Sequence, residues 1–329
     1  MIDRTLSVAP MMGYTDRHCR YLFRLIAKKT MLFSEMITSS ALVFGDQEKL
    51  LAHAADEPVA LQLGGNKPSE LAFAASLAEA AGYQEINLNC GCPSDRVQNA
   101  GIGACMMENP DLTAECYKAM SEAVNIPVTV KSRIGVDKNE DYDFFYTFIS
   151  SLFDAGCRHF FVHARNAILS GLTPRQNREV PPLRYDYVSK IQSDFQGANF
   201  FINGGIKTLE EARALLRGYK GVMLGRLAYK NPILLHHLEK QLFETQPIEI
   251  VKIISMYREY MQKESSLGTP IRFMARHLQG LFHGVPQAAQ YRREINKIMI
   301  QTSPKASDLD IVIANLKTNL GKKYAKQAL

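Results

Sequence analysis

The sequence predicts an α/β protein, a (β/α)8 TIM barrel followed by a C-terminal four-helix bundle, and three observations carry that expectation. Short β-type segments recur through about the first 235 residues, each followed by a stretch with helical apolar spacing. Several of these segments are nearly continuous apolar runs, as expected of parallel strands covered on both faces. Past about residue 240 the β-type segments stop and only helical spacing remains. A chain of 329 residues exceeds the usual single domain, but barrels often run to ~250 residues as one unit, so the expected division is 1–243 and 244–329.

Taken in order, the β-type segments are 6–10, 32–35, 59–63, 85–89, 128–132, 159–163, 200–203 and 221–224. Helices are expected at 69–81 and 209–217, among others. Pro68, Pro110 and Thr208 mark helix starts, because proline is tolerated in a first turn and a threonine hydroxyl can cap one. Eight such units favour a barrel over a doubly wound sheet. The C-terminal helices are expected at 248–264, 271–283, 286–301 and 308–320, with Thr269 and Ser307 as N-caps.

A barrel places function at the C-terminal ends of its strands. Polar or glycine residues fall there: Pro10, Met11 and Met12 after the first strand, Gln62 on the third, Asn89 and Cys92 on the fourth, Lys131 and Arg133 on the fifth. His163 and Arg165 follow on the sixth, Asn203, Gly204 and Gly205 on the seventh, Gly225 and Arg226 on the eighth. Any one of these has a bland reading as a packed or solvated side chain; seven strands contributing together do not. Loops after the last two strands commonly bind phosphate, since glycine lets backbone N–H groups approach an anion, although two ordinary tight turns would look similar. With Lys131 and His163, they suggest a site for a phosphate-bearing ring cofactor. No G-x-G-x-x-G or P-loop sequence occurs, which argues against a Rossmann dinucleotide site and an NTPase. Cys90 and Cys92 have no partner pair of cysteine or histidine at zinc spacing, so no metal is expected. A buried thiol remains the plain alternative for Cys92.

Charge is unevenly placed. Residues 1–246 hold 26 Lys and Arg against 27 Asp and Glu, whereas residues 247–329 hold 13 against 6. A basic terminal module suggests a polyanionic partner, most often nucleic acid, with a merely solvated surface as the alternative. Arg272 with Arg276, and Arg292, Arg293 with Lys297, are spaced to form basic helix stripes. Six irregularly placed cysteines, no leading apolar signal and no long apolar run lead to the expectation of a cytoplasmic protein without a membrane span.

These residues resemble a known family, the tRNA-dihydrouridine synthases, over both expected domains. The motifs are Ala9-Pro10-Met11-Met12, Leu61-Gln62-Leu63-Gly64-Gly65, Asn87-Leu88-Asn89-Cys90-Gly91-Cys92-Pro93, Val130-Lys131-Ser132-Arg133, His163-Ala164-Arg165, Asn203-Gly204-Gly205 and Gly225-Arg226. Ser94-Asp95-Arg96-Val97-Gln98-Asn99 and the stretch 171–182 are similar to the bacterial A-type members, which act on D-loop uridines near tRNA position 20. Cys90 departs from the family, which usually carries an aliphatic residue there.

The resemblance implies an FMN-bearing barrel, NADPH or NADH as reductant, and a helical tRNA-binding domain. Pro10, Met11 and Met12 would lie along the flavin; Gln62 and Lys131 would meet its polar edge. His163, Asn203, Gly204, Gly205, Gly225 and Arg226 would hold its phosphate. Asn89 would position uracil, and Cys92 would donate the proton to C5 after hydride reaches C6. A thiol with an ordinary pKa of ~8.5 is mostly protonated at neutral pH and can serve as that acid. Because a folded D-loop stacks its uridines, the target has to be extruded, and Arg165, Arg175, Arg178, Arg184, Arg292 and Arg293 are the candidates for gripping phosphates. Residues 94–105 look like a mobile lid, and a monomer is expected. A flavin oxidoreductase for a free pyrimidine or another small ene compound is the alternative; an RNA-binding protein with an inactive barrel is disfavoured by Cys92, Lys131 and His163 together.

Overall fold

The computed structural model describes residues 2–286 and 288–319. Eight parallel strands form its sheet: β1 (Leu6–Val8), β2 (Leu32–Thr38), β3 (Val59–Gly64), β4 (Glu85–Cys90), β5 (Val128–Ser132), β6 (His159–His163), β7 (Asn199–Asn203) and β8 (Gly221–Leu224). They are hydrogen-bonded in the order β1-β8-β7-β6-β5-β4-β3-β2. The two ends of that order meet, because the Met31 N–H donates to the Leu6 carbonyl and the Val8 N–H to the Met31 carbonyl, each at 2.9 Å. The expected (β/α)8 barrel is therefore present. Strand positions follow the apolar runs closely, with β2 longer than expected because a bulge between Phe33 and Met36 lets it keep pairing with β3.

Helix starts obey local chemistry. Pro68 opens the helix Pro68–Ala80 and Pro110 opens Pro110–Ala123, where a missing N–H costs nothing. Thr208 caps Leu209–Leu216, its hydroxyl accepting from the Glu211 N–H at 3.1 Å while the Glu211 carboxylate accepts from the Thr208 N–H at 3.2 Å. Inside the barrel, Ala9, Met31, Phe33, Ala60, Phe161, Phe201 and Met223 pack together, with the Phe161 ring edge-on to Phe33 at 5.0 Å and stacked on Phe201 at 4.7 Å. This apolar layer fills part of the lumen, so the interior is a core rather than a channel.

The chain divides into two compact units, one of Met1–Gly13, Met31–His53 and Glu57–Gly225 and the other of Tyr14–Thr30, Ala54–Asp56 and Arg226–Leu329. By compactness the second unit starts at Arg226 and also takes the helix Arg17–Ile26, whose Leu22, Leu25 and Ile26 join Ile254, Tyr257, Leu278 and Ile295 in its core. Arg20 pairs with Asp56 at 2.5 Å and Arg17 with Glu264 at 2.7 Å. The buried Glu239 carboxylate accepts from the N–H groups of Lys28 and Lys29 at 2.8 and 2.7 Å, which fixes the end of that segment.

The later helices are Ile250–Ser266, Ile271–Ala275, Ala288–Ile300 and Leu309–Asn319. The stretch expected as one helix at 271–283 tightens into a 3-10 turn, Arg276–Gly280, where a Cβ on Gly280 would stand 2.6 Å from the Tyr229 carbonyl. Neither expected cap holds: Thr269 donates to the Glu264 carboxylate at 3.4 Å, and Ser307 lies inside the 3-10 turn Ala306–Asp308, which Asp308 closes by accepting from the Lys305 N–H at 2.8 Å. Arg276 pairs with Asp16 at 3.7 Å, so it is not half of an unpaired stripe with Arg272. Gln287 and Leu320, ends of expected helices or within them, lie outside the described residues, as do Lys322, Lys323 and Lys326. Among the described residues no helix is long and apolar enough to cross a membrane.

Candidate functional site

Strand register brings the polar residues of the barrel together. In parallel pairing, partner residues project to the same side, and the register sets Gln62 beside Asn87, Asn87 beside Thr129, Asn89 beside Lys131 and His163 beside Asn203. On β4 the residues Glu85, Asn87 and Asn89 alternate with Ile86, Leu88 and Cys90, which separates a polar lumen face from an apolar helix-facing one. Cys90 is fully buried on the latter, where burial, and then the neighbouring Cys116 and Cys157, push its thiol well above the usual range. A thiol so placed packs and does not react.

Two residues past the strand the environment reverses. Cys92 is half-buried, and its backbone N–H and that of Gly91 both donate to the Asn89 side-chain oxygen, at 3.0 and 3.1 Å. Its sulfur lies 3.5 Å from the Ser94 hydroxyl. Gly91 packs closely, since a Cβ there would stand 3.2 Å from the Ser132 carbonyl carbon. The neighbouring 94–105 segment is tied down at several points. The Ala104 N–H donates to the Cys92 carbonyl at 3.0 Å, and the Gln98 amide to the Pro93 and Leu169 carbonyls at 2.9 and 2.6 Å. The expected lid is therefore hydrogen-bonded against the barrel in this structure.

A chain of buried hydrogen bonds runs below Cys92. The Asn89 amide donates to the Gln62 side-chain oxygen at 2.7 Å, Gln62 to Asn87 at 2.7 Å, Asn87 to the Thr129 hydroxyl at 2.9 Å, and Thr129 to the Glu85 carboxylate at 2.8 Å. Arg4 closes the chain with an ion pair to Glu85 at 2.6 Å. Each amide uses one hydrogen in this chain, so Gln62 and Asn89 keep a second N–H without an acceptor among the described residues. Arg4, Glu85, Asn87 and Thr129 are not strand-end residues, and inspection of strand ends alone misses them. The signal was polar residues at alternate positions, 85, 87 and 89, and 129 and 131, in strands otherwise apolar.

Beside that chain stands a cationic wall. The Lys131 ammonium donates to the Asn203 side-chain oxygen at 3.2 Å, and Asn203 donates in turn to the Met223 carbonyl at 2.7 Å. Burial, and then the Arg133 charge, pull the Lys131 ammonium down to about 7. Arg133 is spread over three carbonyls, Gly91 at 3.3 Å, Asn166 at 3.1 Å and Asn177 at 2.9 Å, so it ties β4 to the loops after β5 and β6. His163 is buried among these cations; burial first, then Arg133, Lys131, Arg165 and Arg178, hold its imidazole well below the usual range, hence neutral.

The glycines differ in their surroundings, Gly204 and Gly205 being closely packed and Gly225 open. Gly204 and Gly205 have φ of +106° and +73°, and a Cβ on them would meet His163 at 2.4 Å and Leu183 at 2.4 Å respectively. The Tyr185 hydroxyl donates to the Gly204 carbonyl at 2.6 Å and holds that turn, a role the sequence reading did not foresee. At Gly225 the nearest atom to an added Cβ is the Met11 sulfur at 3.9 Å, so the space above its backbone is open. Met11 and Pro10 are half-buried and Met12 is exposed. These residues fit a ring bearing a phosphate, with spare amide donors, a lysine and approachable glycine backbone on one rim.

The expected phosphate-gripping arginines divide. Arg175 and Arg178 are exposed. Arg165 donates to the Pro181 carbonyl and, at 3.4 Å, to that of Glu179, so it braces the loop after β6. Arg184 is held by the Asp186 carboxylate at 2.7 Å and stacks on the Tyr187 ring at 3.9 Å. Arg226 is exposed at the start of the short helix Arg226–Lys230, and Arg292 and Arg293 are exposed on Ala288–Ile300, all three in the second unit.

Comparison with known proteins agrees with this architecture. Residues 7–318 match the family model described as dihydrouridine synthase (Dus). Among similar proteins, a tRNA-dihydrouridine(20/20a) synthase of Vibrio cholerae is 48% identical over 295 residues, 89% of this chain and 90% of that one. Its counterpart of the same name in Escherichia coli K12 is 49% identical over 297 residues, 88% of this chain and 85% of that one. With a family model spanning nearly all of the described chain and relatives sharing about half of its residues, the chain belongs to the dihydrouridine synthase family.

Proposed function

We propose that this protein reduces uridine to 5,6-dihydrouridine in the D-loop of tRNA, at position 20 or 20a, with FMN held in the barrel mouth and NADPH or NADH as the reductant. The observation that carries the reading is the half-buried Cys92, fixed by Asn89 at the end of β4 beside Lys131 and the glycines after β7 and β8. The names of the similar proteins support the substrate and position.

FMN, when bound, supplies the hydride for uracil C6, chemistry no side chain can perform. Cys92 supplies the proton for C5; its half-buried sulfur is reachable by substrate, whereas Cys90 is not. The spare N–H groups of Gln62 and Asn89 are donors for carbonyl oxygens of the ring systems. The Asn89 oxygen is already committed to the Cys92 turn, so Asn89 positions uracil only as a donor. Lys131 provides the cation at the ring edge, and Asn203 holds it. Gly204, Gly205 and Gly225 offer backbone to the phosphate, with His163 a neutral donor and Arg226 a charge for the same end. Pro10, Met11 and Met12 cover the ring.

In this reading 1–243 is the catalytic domain and 244–329 binds tRNA, with Arg175, Arg178, Arg292 and Arg293 contacting phosphates and Arg165 shaping the loop that carries them. The protein acts as a monomer in the cytoplasm and uses no metal. Purified protein should show flavin absorbance and form dihydrouridine on intact tRNA but not on free uridine. Dihydrouridine should also vanish from position 20 or 20a in cells lacking the gene. Turnover of free uridine at rates matching tRNA would instead identify a small-molecule oxidoreductase.

A further inference from the structure

The hydrogen-bond chain below Cys92 has a fixed direction, and its origin lies at the end remote from Cys92. Burial raises the Glu85 carboxyl, but the Arg4 guanidinium at 2.6 Å keeps a counter-charge against it inside the barrel, and as a carboxylate Glu85 only accepts. The Thr129 hydroxyl therefore donates, to Glu85 at 2.8 Å or to the Ile86 carbonyl at 3.3 Å, both acceptors. Its oxygen then has to accept from Asn87, which turns the Asn87 oxygen toward Gln62, the Gln62 oxygen toward Asn89, and the Asn89 oxygen toward the N–H groups of Gly91 and Cys92. Turning any one amide over would set N–H against N–H on one side and oxygen against oxygen on the other. Such buried mismatches are not tolerated without compensation.

We propose that Thr129 and Asn87 are positioning residues: through them the Arg4–Glu85 pair dictates that Gln62 and Asn89 present N–H groups to the site, and holds the Asn89 oxygen on the turn that carries Cys92. Neither residue touches the ligand. The consequence for flavin rests on the function proposed above; the consequence for the Cys92 turn does not.

Thr129→Val keeps the shape of a fully buried side chain and removes both the donor for Glu85 and the acceptor for Asn87. Freed amides should then sample both orientations. In Thr129→Val holoenzyme the FMN dissociation constant should rise about fivefold, the equivalent of one net hydrogen bond. The flavin absorption bands should shift, and Cys92 alkylation by iodoacetamide in the FMN-free protein should accelerate. Thr129→Ser, which restores the hydroxyl, should return all three to near wild-type values. A variant less stable to heat but unchanged in FMN affinity, flavin spectrum and Cys92 alkylation would make the chain merely structural and overturn the proposal.

Should Thr129→Val not fold, side-chain amide exchange in the 15N-labelled wild-type protein decides. The amide protons of Gln62 and Asn87 should exchange roughly 100-fold or more slowly than those of exposed Asn139; equal rates would overturn the proposal. Wild-type protein that binds no flavin would remove the functional reading while leaving the Cys92 alkylation comparison intact. An active flavoprotein with indifferent Thr129 variants would remove this inference alone.

Discussion

Gly204 and Gly225 are both read as phosphate-approaching glycines, yet the structure assigns them different physical burdens, and that difference can be tested. An alanine at 204 must adopt a φ of +106° and place its Cβ 2.4 Å from the His163 ring. Strain at such a backbone conformation is about 1–3 kcal/mol, and forcing a methyl into packed surroundings adds about 1–3 kcal/mol. Gly204→Ala should therefore lose roughly 2–5 kcal/mol of stability before any ligand is considered. Gly225→Ala meets nothing closer than the Met11 sulfur at 3.9 Å and carries no positive φ, so its stability should stay within about 0.5 kcal/mol of wild type. If the open space above Gly225 is where a phosphate approaches the backbone, the new methyl removes a hydrogen bond to a charged group. Such a bond is worth about 1.5–3 kcal/mol, or roughly 10- to 150-fold in FMN affinity. Urea denaturation of the FMN-free variants and flavin-fluorescence titration separate the two effects. Wild-type FMN affinity in Gly225→Ala would refute the placement of the phosphate. Undiminished stability in Gly204→Ala would refute the steric argument.

Three further outcomes follow from charges and exposure. Because burial holds Lys131 down to about 7, an anionic ligand beside it should raise that value and draw in a proton. FMN affinity should thus fall as pH rises from about 7 to 9, by up to about tenfold per unit, and Lys131→Met should flatten the profile; an equal slope in the variant would exclude Lys131 as the responsible group. His18, 2.6 Å from the Tyr260 hydroxyl, is pushed by burial to about 4, whereas an unfolded imidazole titrates near 6.5. Between these values only the unfolded chain binds the proton, so the His18 contribution is full above about pH 6.5 and falls by up to about 1.4 kcal/mol per unit on acidification toward 4. Urea midpoints at pH 7 and 5 should show this, and His18→Gln should remove its share, while His159 and His163, also held low by burial, add losses in the same direction. Arg178 is exposed on the loop after β6, and Arg178→Ala is expected to lower the salt dependence of tRNA binding by about one counterion while changing flavin reduction by NADPH far less. Equal losses in both assays would make it a cofactor or structural residue.

The barrel was legible because a parallel strand covered on both faces leaves a plain apolar run, as in 128–132, 159–163 and 221–224, which coincide with β5, β6 and β8. The different fates of Cys90 and Cys92 were not legible, because period-two alternation puts both on one side of an extended chain; the structure separates them because β4 ends at Cys90 and Asn89 holds the turn that carries Cys92. Strand ends drew attention to Gln62, Asn89 and Lys131, but their orientation is set by Arg4, Glu85, Asn87 and Thr129, which meet them only once the register is known. The helix Arg17–Ile26 reads as an ordinary barrel helix; helical spacing reveals an apolar face but not what covers it, and Leu22, Leu25 and Ile26 are covered by the second unit's core. Deleting residues 247–329 would strip that face, which makes truncation a poor test of the division of labour. Arg165 and Arg184 were read as phosphate contacts without sight of the groups they bond in the structure, the Pro181 carbonyl and Asp186 with Tyr187, which the loop after β6 brings to them.

The central claim is that Cys92 protonates C5 and has no part in receiving hydride, and rapid-mixing absorbance of the flavin measures both half-reactions in one experiment. Cys92→Ala should bind FMN and be reduced by NADPH at nearly the wild-type rate. Reoxidation by tRNA should slow by ~10²–10⁴-fold, the usual worth of a general acid. Cys90→Ala, altering a thiol buried on the far face of β4 with Cys116 and Cys157, should leave both rates close to wild type. Equal slowing of reduction and reoxidation in Cys92→Ala, or a larger loss in Cys90→Ala, would contradict the role assigned to Cys92.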